Sequence, residues 1–269
     1  MIIWLSSYPK SGNTWIRILL TNYFFSDKKL FSNLNFIREY PKKYFFKNLI
    51  KEKNDEFKEF NPYKYSILSQ DLINLNKEIN LLKTHSCCGT INNNKFTNEE
   101  NTLGFIYLIR DPRSVAISYA HHRNISYEKS AEIITDENNV VIDKDKVLTL
   151  MSSWKLNYLS WLKSPYPRII IKYEDLHKDT FENFKKILIF LNKFMKIEIN
   201  ESEIYKNIKK CSFDNLKYEE ENFGFSERVG SDNFFRKGLV DEWKSKLSRN
   251  SIKLIEEKFK KEMIELNYL

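Results

Sequence analysis

A lysine, a glycine and several short polar side chains follow the first apolar run of the chain. Residues 2–6 are a candidate buried strand, residues 12–25 are a candidate helix, and Lys10, Ser11 and Gly12 lie at their junction. A tight loop at a helix N-terminus points backbone N–H groups at an anion, and the lysine adds a positive charge. The pattern therefore predicts phosphate binding; a capped helix with a solvated Lys10 is the alternative.

A histidine and a lysine stand at the end of a second candidate strand, residues 79–83. Lys83 is the last residue of that strand, and His85 follows two positions later. A neutral imidazole can take a proton near pH 7, so His85 is a candidate general base. A hydrogen-bonded surface histidine is the alternative.

Two more candidate strands end in residues that suit a nucleotide. Arg110 ends residues 104–110, and Tyr173 follows residues 168–172. A guanidinium is suited to bidentate recognition of phosphate. The alternatives are an ion pair between Arg110 and a nearby aspartate, and an ordinary helix start after the fourth strand.

The alternation of strand-length apolar runs with helical patterns predicts an α/β fold. We expect a P-loop-like, three-layer fold whose central parallel sheet is flanked by helices on both faces. Open α/β sheets bind ligands at the edge where the carboxyl ends of their parallel strands meet. The lysine, histidine, arginine and tyrosine should therefore lie at that edge. The predicted helices are residues 12–25, 111–121, 146–163, 180–192 and 251–266.

The length and composition favour one domain over residues 1–269. Of the 269 residues, 42% are hydrophobic, and no Gly/Ser- or Pro-rich linker interrupts them. The polar, aromatic-rich stretch at about residues 26–76 is predicted to be a helical insertion, whose aromatic side chains form either a small core or an apolar pocket. Residues 92–101 and 135–145 are predicted surface loops. Residues 224–235 are a predicted lid over the substrates, with an ordinary surface loop as the alternative.

The charge and the cysteines limit the partners. The formal net charge of +8 suits an anionic ligand, but no Lys/Arg run is long enough for a nucleic-acid tail, so no nucleic-acid partner is predicted. Three cysteines without metal-ligand spacing predict neither a disulfide framework nor a metal site. No signal peptide or membrane-spanning run is apparent, so a cytoplasmic location without stable membrane insertion is expected.

Five segments together resemble the cytosolic-type sulfotransferases, and they occur in the family's order. Residues 8–15 (YPKSGNTW) resemble the family's 5′-phosphosulfate loop, YPKSGTTW. The other four are residues 83–85, which resemble KTH; residues 110–119, which resemble RDPRDVAVSYYH; residues 172–176, which resemble the YEDL segment; and residues 235–244, which are similar to FxRKGxxGDWK. These segments span nearly the whole chain.

The resemblance implies a reaction. The donor would be 3′-phosphoadenosine 5′-phosphosulfate (PAPS), the nucleotide product 3′,5′-ADP, and the acceptor a hydroxyl or amine. The sulfuryl group would move by in-line displacement without a metal. His85 would be the general base, and Lys10 and Lys83 would stabilise charge on the sulfuryl oxygens and the leaving phosphate.

The resemblance also implies three groups of donor-binding residues. Those for the 5′-phosphosulfate are Lys10, Ser11, Gly12, Asn13 and Thr14. Those for the adenine are Trp15, Tyr173 and Phe213. Those for the 3′-phosphate are Arg110, Ser118, Arg236, Lys237 and Gly238.

The chain departs from the family pattern at several positions. Ser114 replaces a frequent Asp and is expected on the helix surface, and His85 is followed by Ser86, Cys87 and Cys88 rather than by the usual Leu-Pro. Residues 241–243 (DEW) lack the usual glycine, and the C-terminal dimer signature is broken. A monomer and a homodimer therefore both stay open, as do small-molecule, lipid and glycan acceptors.

Two other functions compete with sulfuryl transfer. The first is an ATP–Mg²⁺-dependent P-loop kinase, but Lys10 precedes Gly12 and no Walker A pattern is present. The second is a non-catalytic nucleotide-binding or scaffold protein. Such a protein would not need both Lys83 and His85, so their presence argues against it.

Overall fold

The computed structural model describes residues 1–25, 29–49, 62–228, 233–236 and 238–269. The strands in these residues are β1 (Ile2–Ser7), β2 (Arg38–Glu39), β3 (Asn80–Thr84), β4 (Thr90–Ile91), β5 (Asn94–Lys95), β6 (Thr102–Ile109), β7 (Val140–Ile142), β8 (Leu148–Leu150) and β9 (Arg168–Lys172).

The same residues contain α-helices and three short 3₁₀ helices. The α-helices are α1 (Asn13–Phe25), α2 (Ser66–Asn74), α3 (Pro112–Arg123), α4 (Tyr127–Thr135), α5 (Trp154–Leu162), α6 (Tyr173–Lys178), α7 (Thr180–Leu191), α8 (Glu201–Lys210), α9 (Phe213–Phe223), α10 (Trp243–Lys246) and α11 (Arg249–Glu265). The 3₁₀ helices are Leu34–Phe36, Lys43–Phe45 and Pro62–Tyr65.

A five-stranded sheet has the order β2-β3-β1-β6-β9. The pairs β2–β3, β3–β1 and β1–β6 are parallel. Every residue of β1 is buried, as expected for a short apolar run in a parallel sheet covered by other elements. The four strands expected from the sequence are β1, β3, β6 and β9, whereas the two-residue strand β2 was not expected.

The chain divides into two units. The first comprises Met1–Tyr8, Ile37–Leu108 and Asp136–Ile170, and the second comprises Pro9–Phe36, Ile109–Thr135 and Ile171–Leu269. The single sulfotransferase-type domain over residues 1–269 stays a prediction.

Large aromatic side chains form the core of the first unit. The ring of Trp161 lies 5.0 Å from Phe105, 5.8 Å from Phe96 and 6.3 Å from Trp4, measured between centroids. Trp161 also donates its indole N–H to the Ser86 carbonyl at 2.9 Å, so its polar edge is satisfied inside the core. Because Ser86 directly follows His85, this hydrogen bond ties the chain next to His85 to the core.

Amphipathic helices form the core of the second unit. In α11, Ile255, Phe259 and Met263 repeat every four residues and are fully or almost fully buried, which makes one apolar stripe. The helices α1 and α8 are joined by the Asn207 amide, which donates to the Leu19 carbonyl at 2.8 Å. This contact fixes α1 against α8.

Residues 146–163 do not form the single helix that was predicted. Only α5 is helical, and β8 precedes it, paired antiparallel with β7 from the predicted loop 135–145. Two features explain the break: Ser152 has a left-handed backbone (φ 55°), and the Ser153 side chain caps α5 by accepting from the Leu156 N–H.

The predicted loop at residues 92–101 also contains a strand. β4 and β5 pair antiparallel across Asn92 and Asn93, whose φ values of 48° and 64° suit the tight turns that join twisted strands.

Parts of the predicted insertion and lid lie outside the described residues, namely 26–28, 50–61 and 229–232. The described part of the insertion consists of 3₁₀ helices, α2 and β2. Its Tyr40 and Phe46 are fully buried, which favours the core reading over a pocket for these two rings. The helical insertion and the lid as whole features stay predictions.

Membrane-spanning helices and clusters of metal ligands are both absent from the described residues. None of the helices there is long and apolar enough to cross a membrane. No group of three or more His, Cys, Asp or Glu side chains there could hold a metal ion.

The Trp161 contacts predict a large loss of stability on truncation. Trp161→Ala should lower the free energy of unfolding by roughly 3–5 kcal/mol, because it leaves a cavity among three rings and an unbonded carbonyl. Urea unfolding followed by circular dichroism measures the change. Leu75→Ala is the control, since Leu75 is 71% exposed and should change little. Similar losses in both variants would contradict the assignment of Trp161 to the core.

Candidate active site

The loop after β1 has the backbone of an anion-binding turn. Lys10 adopts a left-handed conformation (φ 68°), Gly12 has φ 96°, and α1 begins at Asn13. A lysine with positive φ is strained, and such strain concentrates at functional sites. The Ser11 side chain is only 1% exposed, and its hydroxyl has no hydrogen-bond partner among the described residues. A buried polar atom without a partner is costly, so this hydroxyl fits a bound ligand.

Tyr173 packs directly on the loop backbone. A Cβ atom at Gly12 would lie 2.8 Å from Cδ2 of Tyr173, so only glycine fits there. The Arg110 guanidinium lies on the Tyr173 ring, 4.1 Å from its centroid, and donates to the carbonyls of Lys10 at 3.1 Å and Leu239 at 2.9 Å. Arg110 thus joins the loop to two other segments.

Two of the three residues predicted to surround adenine, Trp15 and Tyr173, are in direct contact. Trp15 and Tyr173 make an edge-on ring contact with centroids 6.2 Å apart. The Trp15 indole N–H donates to the Cys211 carbonyl at 3.3 Å, two residues before Phe213. The Phe213 ring packs against Gly238 (φ 63°), where a Cβ would lie 2.8 Å from it. Both positions require glycine because an aromatic ring packs directly on the backbone there. The sequence motif contains these glycines but does not show which rings they contact.

Ser118 and Arg236, two predicted 3′-phosphate ligands, line one pocket with Lys10. The Arg236 guanidinium makes a two-point ion pair with the Glu242 carboxylate, and the Lys10 ammonium lies 3.9 Å above the Phe234 ring. Glu242 was not among the predicted site residues; the DEW departure from the family pattern at residues 241–243 was the available signal. Lys237 lies outside the described residues.

The RDPR segment is fixed by buried charges. Arg113 binds the Asp111 carboxylate at 2.7 Å, binds Glu256 at 2.6 Å, and covers the Trp243 ring at 3.8 Å. Asp111 therefore caps α3 and pairs with Arg113, while Arg110 binds carbonyl groups.

Ser114 is not on the helix surface as expected. It is buried and donates to the Val240 carbonyl, because the chain after Gly238 covers this face of α3. Glu174, in the YEDL segment, accepts from the Asp111 N–H at 2.9 Å and from the Tyr268 hydroxyl at 2.9 Å. Burial is the main cause that raises the pKa of Glu174.

In the first unit, the end of β1 fixes the orientation of His85. The His85 Nδ1 lies 2.8 Å from the Ser7 carbonyl oxygen, which can only accept a hydrogen bond. Nδ1 must therefore carry the proton, and in the neutral ring Nε2 is the basic nitrogen. The buried Asn157 amide holds the backbone by donating to the His85 carbonyl at 2.9 Å. Asn157 was not predicted, because its contact is 72 residues distant in sequence.

Lys83 is almost buried and has an acidic neighbour. Its side chain is 8% exposed, and its ammonium lies 3.5 Å from the Glu39 carboxylate. The register of β2 against β3 places these residues opposite each other. Glu39 was missed because a two-residue strand has no periodic signal.

The two cysteines after His85 have thiols with raised pKa values. Burial raises the pKa of Cys87 and of Cys88 to about 12, and Cys87 adds to the effect on Cys88. All three cysteines of the chain, including Cys211, are free thiols.

Comparisons with known proteins agree with these motifs. The family model for the sulfotransferase domain matches residues 2–267. Cytosolic sulfotransferase 14 of Arabidopsis thaliana is 28% identical, with 92% of this chain and 71% of that protein covered. The amine sulfotransferase of Oryctolagus cuniculus is 26% identical, with 61% of this chain and 56% of that protein covered.

A solved structure shows the same fold. A mouse sulfotransferase complexed with PAP has a TM-score of 0.60 and 22% identity, with 97% of this chain and 84% of that chain covered. The predicted P-loop-like α/β fold with a central parallel sheet is thereby confirmed. The family match over nearly the whole chain settles the class of enzyme: the chain belongs to the sulfotransferase domain family and is a PAPS-dependent sulfotransferase.

Proposed function

We propose that this chain transfers the sulfuryl group of PAPS to a hydroxyl or amine by in-line displacement, with His85 as general base. The observation that carries the proposal is the loop of residues 10–14, where a strained lysine, a close-packed glycine and the buried, unbonded Ser11 hydroxyl precede a helix N-terminus. Such a loop favours a phosphate-like anion through backbone N–H groups and the helix dipole.

The donor-binding roles follow from this loop and its neighbours. Lys10, Ser11, Gly12, Asn13 and Thr14 bind the 5′-phosphosulfate in this proposal. The adenine lies among Trp15, Tyr173 and Phe213, whose ring contacts and close glycines support a site for a flat group. Arg110, Ser118, Arg236, Lys237 and Gly238 form the 3′-phosphate site. Support for it comes from the pocket that Ser118 and Arg236 share.

The chemical step needs a base and fixed positive charge. His85 Nε2 takes the acceptor proton while the acceptor oxygen or nitrogen bonds to sulfur. The bond between sulfur and the bridging oxygen breaks, and its electron pair stays on the 5′-phosphate of 3′,5′-ADP. Lys10 and Lys83 stabilise the charge that develops on the sulfuryl oxygens and the bridging oxygen. The Nδ1–H bond to Ser7 supports this role, since it fixes the tautomer whose Nε2 can accept.

The acceptor class is proposed only broadly. Small molecules, lipids and glycans with a hydroxyl or amine all fit the reaction, and one matched relative is named an amine sulfotransferase. A cytoplasmic location is part of the proposal, because several relatives are named cytosolic sulfotransferases. We propose no nucleic-acid partner, no metal and no stable membrane insertion; both a monomer and a homodimer are compatible.

Nucleotide binding gives the first test. At about 100 times its Kd, 3′,5′-ADP should stabilise the protein by roughly 2.7 kcal/mol, or about 5–10 °C in Tm. The measurement is thermal unfolding with 3′,5′-ADP, 5′-AMP and ATP–Mg²⁺ at equal concentrations. A shift with ATP–Mg²⁺ instead would favour a kinase, and no shift with any nucleotide would contradict donor binding.

The glycine of the loop gives a matched pair of variants. Gly12→Ala should weaken 3′,5′-ADP binding at least about tenfold, because its Cβ would meet Tyr173 at 2.8 Å and alanine disfavours φ 96° by roughly 1–2 kcal/mol. Gly89→Ala is the control, since its Cβ would meet nothing within 4 Å. Calorimetric titration compares them, and equal affinities would argue against this loop as the 5′ site.

The base is tested by two substitutions of His85. His85→Ala should lower kcat about 10²–10⁴-fold and leave 3′,5′-ADP affinity unchanged. His85→Asn should lose the same turnover, because its amide can still donate to the Ser7 carbonyl but offers nothing at the Nε2 position. Turnover is measured with PAPS and a panel of phenols, alcohols and amines. Wild-type turnover in either variant with every acceptor would remove His85 from the mechanism.

A further inference from the structure

The pocket beside the loop has two histidines that the donor-binding roles above leave unused. Both His121 and His122 line it together with Ser118 and Arg236. The histidines lie near the end of α3, and each is half-buried. The pocket is open to solvent at its mouth.

Helix geometry places His122 with Ser118 on one wall. The two residues are four positions apart in α3, so their side chains are neighbours on the same helix face. The His122 ring meets the Phe234 ring at 88° with centroids 6.4 Å apart, which sets the plane of the imidazole. Arg236 follows Phe234 by two positions and lines the same pocket.

We propose that His122 is a further ligand of the donor's 3′-phosphate, donating a hydrogen bond beside Ser118 and Arg236. The inference rests on the proposed function, because it assumes that this pocket receives the 3′-phosphate. An imidazole N–H is a good donor to a phosphate oxygen, and its protonated form adds a charge-assisted bond.

His121 is less suited to this role, although it lies in the same pocket. Its Nε2 is 3.1 Å from the Tyr127 hydroxyl of α4, with which it shares a hydrogen bond. That contact ties the ring to the helix pair α3–α4. His122, by contrast, contacts the segment that carries Arg236.

The charges around His122 favour an anion. The pocket is lined by Lys10 from the loop, by His121 from α3 and by Arg236 from the segment after Asn233. Glu242 is bound to Arg236, and Tyr127 is bound to His121. Among the described residues that line the pocket, none carries a carboxylate. A phosphate there would meet positive charge and hydrogen-bond donors.

A protonated imidazole binds a dianion more strongly than a neutral one. Imidazoles titrate near neutral pH, and the second ionisation of a phosphate monoester lies near pH 6. The ionisation of the ligand itself affects every variant equally. The contribution of His122 is therefore the difference in 3′,5′-ADP affinity between wild type and variant at each pH. This difference should be larger at about pH 6.5 than at about pH 8.5, because the His122 charge is lost as pH rises.

The test measures the affinity of full-length protein for 3′,5′-ADP and 5′-AMP by calorimetry at those two pH values. His122→Phe keeps the ring against Phe234 and removes both nitrogens, and it should weaken 3′,5′-ADP about tenfold at the lower pH while leaving 5′-AMP unchanged. His122→Gln should recover part of the affinity through its amide donor but show no extra pH dependence. His121→Phe should have the smaller effect on 3′,5′-ADP.

Three outcomes would overturn the inference. These are an unchanged 3′,5′-ADP affinity in His122→Phe, an equal loss for 5′-AMP, and a larger loss in His121→Phe. Failure of the proposed function looks different, since wild type itself would then bind 3′,5′-ADP no better than 5′-AMP. Thermal unfolding of each variant without nucleotide checks that it is folded.

Discussion

The buried guanidinium of Arg110 is the constraint on which the second unit's candidate site depends. It is 8% exposed, and it links the Lys10 carbonyl, the Leu239 carbonyl and the face of Tyr173. Lys10, Leu239 and Tyr173 are 100, 129 and 63 positions from Arg110 along the chain, so only folding brings them together. A buried charge left without such partners would be strongly unfavourable, so the three segments are held in one arrangement.

The two close-packed glycines belong to the same arrangement. Gly12 lies against Tyr173 and Gly238 lies against Phe213, each at a distance that excludes a side chain. The rings can approach the backbone only because these positions are glycine with positive φ. Arg110 thus holds Tyr173 from one face while the backbone of the loop packs on the ring.

The sequence predicted the parts of the site whose signal is local. The strands of the sheet are short apolar runs, and the loop of residues 8–15 is a continuous motif, so β1, β3, β6 and β9 and their terminal residues could be found. Three residues, Glu39, Asn157 and Glu242, could not be assigned from the sequence. The role of each comes from the residue that it contacts in the fold, and no motif surrounds it in the sequence. The helix predicted at residues 146–163 was wrong for a related reason: the pairing of β8 with β7 outweighs local helical periodicity.

The unpredicted contacts matter because they decide what the predicted residues can do. A histidine after a strand is only a candidate base until the Ser7 carbonyl fixes Nδ1 as the protonated nitrogen. A lysine at a strand end carries a charge whose strength depends on its neighbour, and Glu39 at 3.5 Å offsets part of it. The Glu39 carboxylate therefore weakens the field of the Lys83 ammonium at any anion beside it. The Lys10 ammonium instead contacts the face of the Phe234 ring, 3.9 Å from its centroid, so the two lysines differ in their neighbours: a carboxylate for Lys83 and a ring face for Lys10.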